Sequence, residues 1–315
     1  MSAILTQIPI IDFASFRQKE PDQASKEQVA EQVHRACKEV GFFYLKNSGL
    51  SAVLLEKLFV ESQQFFALPA AEKNRVAWSD EYNNRGYVAV ERENLDPTAP
   101  GDLKEAYNVG KEVEDPALAN KWPINREAFR ETVLEFYGAC TQAASMVLEA
   151  FAISLQLPED FFQVRHSQQE HTLRLLHYPP IIRQAPKSGQ VRAGEHSDYG
   201  SITLLFQDAV GGLEVQTAQG EWIDARPIKD TILVNTGDLM ERWTNGEFRS
   251  TRHRVKLPAR QEQAARDRYS VAFFCSPNPD TEIACIETCQ TPERPALYPP
   301  ISAGEYLLRL LRATY

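Results

Sequence analysis

The sequence predicts a mainly β protein with flanking helices, and three observations carry that expectation. Between about residues 170 and 285, short runs of β-type residues alternate with Gly, Pro, Asn and Asp, as in a sandwich or barrel. Upstream, Phe129, Val133, Phe136, Tyr137, Cys140, Ala144, Val147, Leu148, Phe151 and Leu155 recur at helical spacing. Downstream, Ser302-x-x-Glu305 opens a last helix carrying Tyr306, Leu307, Leu310 and Leu311. The expected picture is an antiparallel β core wrapped by helices supplied mainly by the N-terminal half.

Taken in order, Ile8 to Phe13 reads as a short strand ending in a turn. Ser25 and Gln28 suggest a capping box for a helix with Val29, Val33, Ala36, Cys37 and Val40 on one face; Gly41 ends it. Phe42-Phe43-Tyr44-Leu45 is an aromatic strand, and a second helix runs from about Ser51 to Leu68, before Pro69. Residues 79–120 are polar and rich in Asn, Gly, Pro and acid, which points to long loops with a strand-like stretch at 104–110. Asn125 is the expected N-cap of the long spine helix and Pro158 its stop. Ile202 to Phe206, Leu213 to Val215, Thr231 to Val234 and Tyr269 to Cys275 are strands, with hairpin-type turns at Gly211-Gly212, Gln219-Gly220 and Asn245-Gly246.

The chain has 315 residues, 34 Lys+Arg and 43 Asp+Glu, a net charge of −9. Length alone suggests two domains; the element pattern suggests 1–120 packing on 121–315 as one structural unit. The acidic balance disfavours a nucleic-acid or anionic-membrane binder, since phosphate affinity comes from clustered Lys and Arg. No apolar run is long enough to span a bilayer, and Met1 to Ile11 lacks the pattern of a signal peptide, so a cytoplasmic monomer is expected. Cys37, Cys140, Cys275, Cys285 and Cys289 are odd in number and scattered; Cys285-x-x-x-Cys289 has no second pair to complete a zinc site. Free thiols are the expectation.

Of six histidines, His196 alone has a carboxylate two residues away, in Gly194-Glu195-His196-Ser197-Asp198-Tyr199. On a strand the two side chains share a face. A second histidine, His253, opens another strand-like stretch, and two histidines with one carboxylate form the facial triad suited to non-haem Fe(II). Beyond it, Arg268 and Ser270 also share a strand face and offer a guanidinium fork and a hydroxyl to a carboxylate. A buried arginine near a metal needs an anion, and a dicarboxylate could chelate the metal at one end and meet Arg268 at the other. The triad leaves one formal positive charge on iron and Arg268 adds another, matching a dianion.

Several segments together resemble one family. Ile8 to Phe13, Gly41 to Tyr44, Leu173 to Pro180, the His-x-Asp segment, Asn235-Thr236-Gly237-Asp238, Ser250 to Val255 and Arg268-Tyr269-Ser270 are similar, in order, to motifs of the isopenicillin N synthase-like family of iron(II)- and 2-oxoglutarate-dependent oxygenases. The resemblance covers nearly the whole chain. It implies a double-stranded β-helix, or jelly roll, with His196, Asp198 and His253 as iron ligands. It implies Arg268 and Ser270 at the distal carboxylate of 2-oxoglutarate, with Tyr178 beside them. It also implies a dioxygenase that consumes 2-oxoglutarate and O2, releases succinate and CO2, and oxidises a small molecule by hydroxylation, desaturation or cyclisation. An iron oxidase of the isopenicillin N synthase or ethylene-forming type is the alternative, followed by a non-catalytic small-molecule-binding jelly roll. The chain departs from many relatives at Leu176-His177, at Ser197, whose side chain is expected to point away, and in Arg260 to Asp267, read as a hairpin extension.

His177 alternates with Tyr178 and should face away from the site. His34, His166 and His171 look like helix or loop histidines without partners. Candidate substrate contacts are Tyr87, Tyr107, Phe274 and Tyr298; Arg192 reads as a solvated loop arginine.

Overall fold

The computed structural model describes residues 7–18, 22–95, 98–183, 186–258 and 260–314. Met1 to Thr6, where a leader would begin, lie outside the described residues. Strand β1 (Ile10–Asp12) is followed by helix α1 (Gln23–Glu39), β2 (Phe42–Lys46), α2 (Ala52–Phe66), α3 (Ala70–Asn74), β3 (Gly86–Val88), β4 (Glu105–Val109) and α4 (Glu127–Ser154). Then come α5 (Phe161–Val164), β5 (Thr172–Tyr178), β6 (Ala193–His196), β7 (Ile202–Gln207), β8 (Leu213–Gln216), β9 (Trp222–Asp224) and β10 (Thr231–Thr236). The chain closes with α6 (Asp238–Trp243), β11 (His253–Val255), α7 (Gln261–Ala264), β12 (Arg268–Cys275), β13 (Glu282–Ile283), β14 (Ile301–Ser302) and α8 (Ala303–Thr314).

An eight-stranded sheet in the order β1-β2-β10-β7-β12-β5-β4-β3 faces a four-stranded sheet, β6-β11-β8-β9, as the two layers of a jelly roll. β1 and β2 run parallel; every other pair in these two sheets is antiparallel. The first third thus supplies four strands, β1 to β4, to the large sheet; β1, β2 and β4 fall on stretches that read as strands or strand-like, and β3 falls in the segment that reads as long loops. β3 and β4 form because Tyr87, Val88, Tyr107 and Val109 can all be buried against a neighbouring ladder.

Period-two alternation decides what each strand gives to the interior. In β12, Val271, Phe273 and Cys275 join the outer core with β5's Leu173 and Leu175 and with Val133, Phe136 and Phe151 of α4. Ala272 and Phe274 join the inner core with Leu176 and Tyr178 of β5 and Val215 and Val255 of the small sheet. The long helix therefore buries its stripe on one face of the large sheet, and the other face looks into the roll.

Several local elements differ from the sequence expectation. Asp22, not Ser25, caps α1, its carboxylate accepting from the Ser25 amide at 3.1 Å. Asn125 sits at φ +55°, and Arg126 precedes α4 without a side-chain cap. Residues 261–264 form the short helix α7 rather than a hairpin extension, and Asn245-Gly246 terminates α6 rather than joining two strands. All five cysteines are free. Among the described residues no helix is long and apolar enough to cross a membrane.

Candidate active site

His196 ends β6 and His253 begins β11, and the antiparallel ladder sets them opposite each other. Their ring centroids lie 4.3 Å apart. Asp198 follows just past β6 and sends Oδ1 to 3.6 Å from His253 Nε2 and 3.9 Å from His196 Nε2. Among the described residues these three form a group whose donor atoms all fall within 4.8 Å of one another.

The remaining polar atoms of the triad are committed elsewhere. His196 Nδ1 lies 2.8 Å from the Gly194 carbonyl and His253 Nδ1 lies 3.1 Å from the Thr251 carbonyl. A carbonyl only accepts, so each Nδ1 carries a proton, and Nε2 is the ring nitrogen each histidine turns toward the group. Asp198 Oδ2 accepts from Thr203 Oγ1 at 2.6 Å and Asn235 Nδ2 at 2.7 Å, leaving Oδ1 aimed at the histidines. Burial pushes His196 down to about 3, so its imidazole is neutral. Burial would raise Asp198, but the two imidazoles and the hydrogen bonds from Thr203 and Asn235 hold it below the usual range. Two imidazoles and a carboxylate converging on one point are the donor set that a divalent iron takes.

Arg268 and Ser270 lie on the same inward face of β12, and Arg268 pairs across the ladder with Tyr178. The Arg268 side chain is buried. Its Nε donates to the Gly211 carbonyl at 2.7 Å, Nη2 to Gln207 Oε1 at 3.0 Å and Nη1 to Ser270 Oγ at 3.3 Å. Its guanidinium sits 4.6 Å from the Tyr178 ring centroid. These partners are neutral, and among the described residues no carboxylate lies within 4 Å of the guanidinium. A buried cation left in this state is costly unless an anion joins it, so the pocket suits an acidic ligand.

A cavity of about 490 Å³ joins the two sites, lined by His196, Asp198, His253, Tyr178, Arg268 and Ser270 among others. Phe274 lines it too. Tyr87, Tyr107 and Tyr298 are not among its lining residues, which corrects the sequence expectation. Tyr87 and Tyr107 are cross-strand partners on the outer face of the large sheet and pack with Phe65; the Tyr87 hydroxyl bonds Glu105. Tyr298 bonds Glu241 at 3.0 Å under the Arg242 guanidinium.

Other residues also sit differently from expectation. Ser197 is among the residues that line the cavity, and its side chain hydrogen-bonds Asp238 rather than a triad member. Arg192 is 1% exposed, not solvated, and donates to the Arg266 carbonyl. His166, His171 and His34 have partners: Ser201 Oγ, the Ser276 amide and Glu247. His177 does face outward, between Glu105 and Asp267 at 2.7 Å each. Thr203 and Gln207 are supports that no sequence motif singled out, and Asn235 lies in a motif whose reading gave it no role of its own. Arg174 is another, although the alternation that turns Tyr178 inward also turns Arg174 into the cavity.

Comparison with known proteins agrees with this geometry. The description "2OG-Fe(II) oxygenase superfamily" matches residues 169–277, and "non-haem dioxygenase in morphine synthesis N-terminal" matches residues 8–125. The chain belongs to the 2OG-Fe(II) oxygenases. Its relatives include the 2-oxoglutarate-Fe(II) type oxidoreductase hxnY of Emericella nidulans, 33% identical over 98% of this chain and 91% of that one. The proline hydroxylase buaE of Petromyces alliaceus is 34% identical over 98% of this chain and 100% of that one. Among solved structures, a full-length Neurospora crassa protein in complex with alpha-KG and thymine superposes with a TM-score of 0.88, at 39% identity over 98% of this chain and 97% of that one. As a 2OG-Fe(II) oxygenase, the protein is a 2-oxoglutarate-dependent dioxygenase that uses iron and O2 to oxidise a small molecule.

Proposed function

We propose that His196, Asp198 and His253 hold the iron, that Arg268 and Ser270 bind the distal carboxylate of 2-oxoglutarate beside Tyr178, and that the reaction is hydroxylation of a small molecule seated against Phe274. The observation that carries this reading is the tautomer lock. Both Nδ1 protons are spent on backbone carbonyls, and Asp198 Oδ2 is spent on Thr203 and Asn235. The three remaining donor atoms face one another across a cavity that ends at an unneutralised arginine.

The bound iron supplies the oxidation itself, in which 2-oxoglutarate, O2 and a substrate C–H give succinate, CO2 and C–OH. The chain's own residues do the rest. Gln207, Gly211 and Ser270 fix the guanidinium plane of Arg268, so that its remaining N–H groups meet a carboxylate in one orientation. The apolar walls from Phe42, Leu205 and Phe274 keep bulk water from the reacting carbon. β1 to β4 complete the large sheet, which supports residues 1–120 and 121–315 acting as one unit. Hydroxylation accords with the name of the relative buaE, a proline hydroxylase. A cytoplasmic monomer belongs to the same proposal; sedimentation and cell fractionation test it.

The test measures succinate release and O2 uptake with Fe(II), 2-oxoglutarate and a panel of small molecules, with Mn(II) binding as a separate readout. The expected result is coupled succinate formation that His196→Ala and His253→Ala abolish together with metal binding. O2 uptake and product without succinate would overturn it in favour of an oxidase. Full activity in both variants would overturn the ligand assignment.

A further inference from the structure

Among the described residues, two arginines in the cavity stand without an acidic partner, and they sit at opposite ends. The carboxylates among the described lining residues are otherwise matched. Glu81 pairs with Arg312 at 3.0 Å, Glu93 with Lys104 at 3.0 Å and Arg174 at 2.7 Å, and Glu170 with Lys111 at 3.5 Å. Asp198 belongs to the triad. No carboxylate of the described residues lies within 4 Å of Arg268 or of Arg85. Arg268 is taken up by the cosubstrate in the reading above, which leaves Arg85.

Arg85 follows Asn84, just before β3, and is 9% exposed. Its Nη1 donates to the Asn84 carbonyl at 3.3 Å and to Thr172 Oγ1 at 3.5 Å, both long bonds to neutral oxygens. Its Nε is buried with no partner among the described residues. Glu170, whose charge acts on it, lies beyond 4 Å and is engaged by Lys111. The guanidinium packs against Gly110: a Cβ there would come within 1.8 Å of Nη2, 2.2 Å of Cζ and 2.3 Å of Nε. A glycine at that position is what leaves room for it.

Register places Arg85 relative to the reaction. Thr172 pairs with Phe274 at one end of the β5–β12 ladder, and Tyr178 pairs with Arg268 at the other. The intervening steps span about 20 Å at roughly 3.3 Å per residue. Thr203, which bonds Asp198, pairs with the same Phe274. Asp198's tether therefore shares a rung with Phe274 and Thr172 at the Arg85 end of the ladder, and Phe274 lies between the triad's side and the Arg85 side. Asn83, Asn84 and Asn108 line this end as neutral polar neighbours.

We propose that Arg85 is a substrate-binding residue and that the substrate is a small organic acid whose carboxylate meets Arg85 while its apolar body packs on Phe274. This rests on the proposed function above, since it is the cosubstrate that removes Arg268 from the count. The carboxylate completes the buried arginine, and the carbon to be oxidised lies between that anchor and the metal. A neutral amide of the same shape offers the arginine a weaker partner, which sets the specificity.

Isosteric acid and amide pairs test it: phenylacetate with phenylacetamide, and benzoate with benzamide. Each is scored for stimulated succinate release and for binding by calorimetry to the Mn(II)–2-oxoglutarate form. The expected result is an acid-over-amide preference of about 10–100-fold in binding and in kcat/KM, as for a charge-assisted hydrogen bond. Arg85→Gln should erase the preference, Arg85→Lys should keep part of it, and Gly110→Ala should reduce it by displacing the guanidinium with its charge intact. Thermal melting shows that each variant is folded. Equal handling of acids and amides by the unmodified protein, or an unchanged preference in folded Arg85→Gln, would overturn the assignment. Absence of any 2-oxoglutarate decarboxylation with Fe(II), with or without added compounds, would overturn the proposed function and this inference with it.

Discussion

His196 and His253 are cross-strand partners in the small sheet, and the ladder register between β6 and β11 brings their rings to 4.3 Å between centroids. The two histidines are far apart in sequence, so their meeting depends on backbone pairing rather than on local geometry. A one-residue slip would turn one imidazole to the opposite face. The Asp198 carboxylate, tethered to Thr203 of β7 and Asn235 of β10, ties this pair to the large sheet. The site thus spans both layers of the roll.

Asn235→Ala is the first consequence to test. It removes the 2.7 Å donor to Asp198 Oδ2 and leaves Thr203 alone to hold the carboxylate. Loss of such an orienting partner weakens metal affinity about 10–100-fold. Anaerobic Fe(II) or Mn(II) titration of the folded variant should show this fall. An unchanged affinity would mean that Thr203 suffices.

Gly237→Ala should damage the same site through sterics. A Cβ at Gly237 would lie 2.3 Å from the Gly200 carbonyl oxygen and 2.8 Å from that of Asp198, both backbone atoms that cannot move aside cheaply. Overpacking of this kind costs about 1–3 kcal/mol. Urea unfolding should report that loss, and the displaced Asp198 segment should lower metal affinity in parallel. Stability lost with affinity intact would show that the strain relaxes away from Asp198.

Much of this was legible in the sequence because period-two alternation and the order of the motifs are local properties. Arg268, Ser270 and Phe274 share a face of one strand, and the structure turns all three into the cavity. Tyr87 and Tyr107 could not be placed the same way, because the inward face of β3 and β4 is defined only by pairing with β5. Asp22 competes with Ser25 as a cap through hydrogen bonds that composition alone does not rank. Arg85 was invisible because its isolation comes from the other carboxylates being matched by cations distant in sequence, such as Glu81 by Arg312.

Arg268→Ala should act on the cosubstrate. The substitution removes the donors to Gly211 and Gln207 and the cation that faces Tyr178 across that ladder. Losing a charge-assisted hydrogen bond of this type makes 2-oxoglutarate bind about 10–100-fold more weakly. Calorimetry with 2-oxoglutarate and Mn(II) measures it, and the KM for 2-oxoglutarate should rise far more than kcat falls. Unchanged cosubstrate binding would place the distal carboxylate elsewhere.

Acid sensitivity should reside in part in His166 and His171. Both are buried, and burial pushes them from 6.5 down to about 4 and about 3. They are neutral in the native state, where His166 meets Ser201 and His171 accepts from the Ser276 amide at 3.2 Å. In the unfolded chain each binds a proton near pH 6.5, so the unfolded state holds more protons in the window between about 6.5 and those lowered values. Stability is therefore full above about 6.5, falls as pH drops through that window and levels off below it. The limiting slope is about 1.4 kcal/mol per pH unit for each histidine. Urea unfolding between about pH 7 and pH 5 measures it, and His166→Gln with His171→Gln should flatten the slope even where the double variant is less stable overall. A slope unaltered by the pair would show that neither histidine carries the acid sensitivity in that range; the carboxylates act lower, as with Glu247, which Lys38 and Arg294 hold down from 4.5 to about 2 against burial.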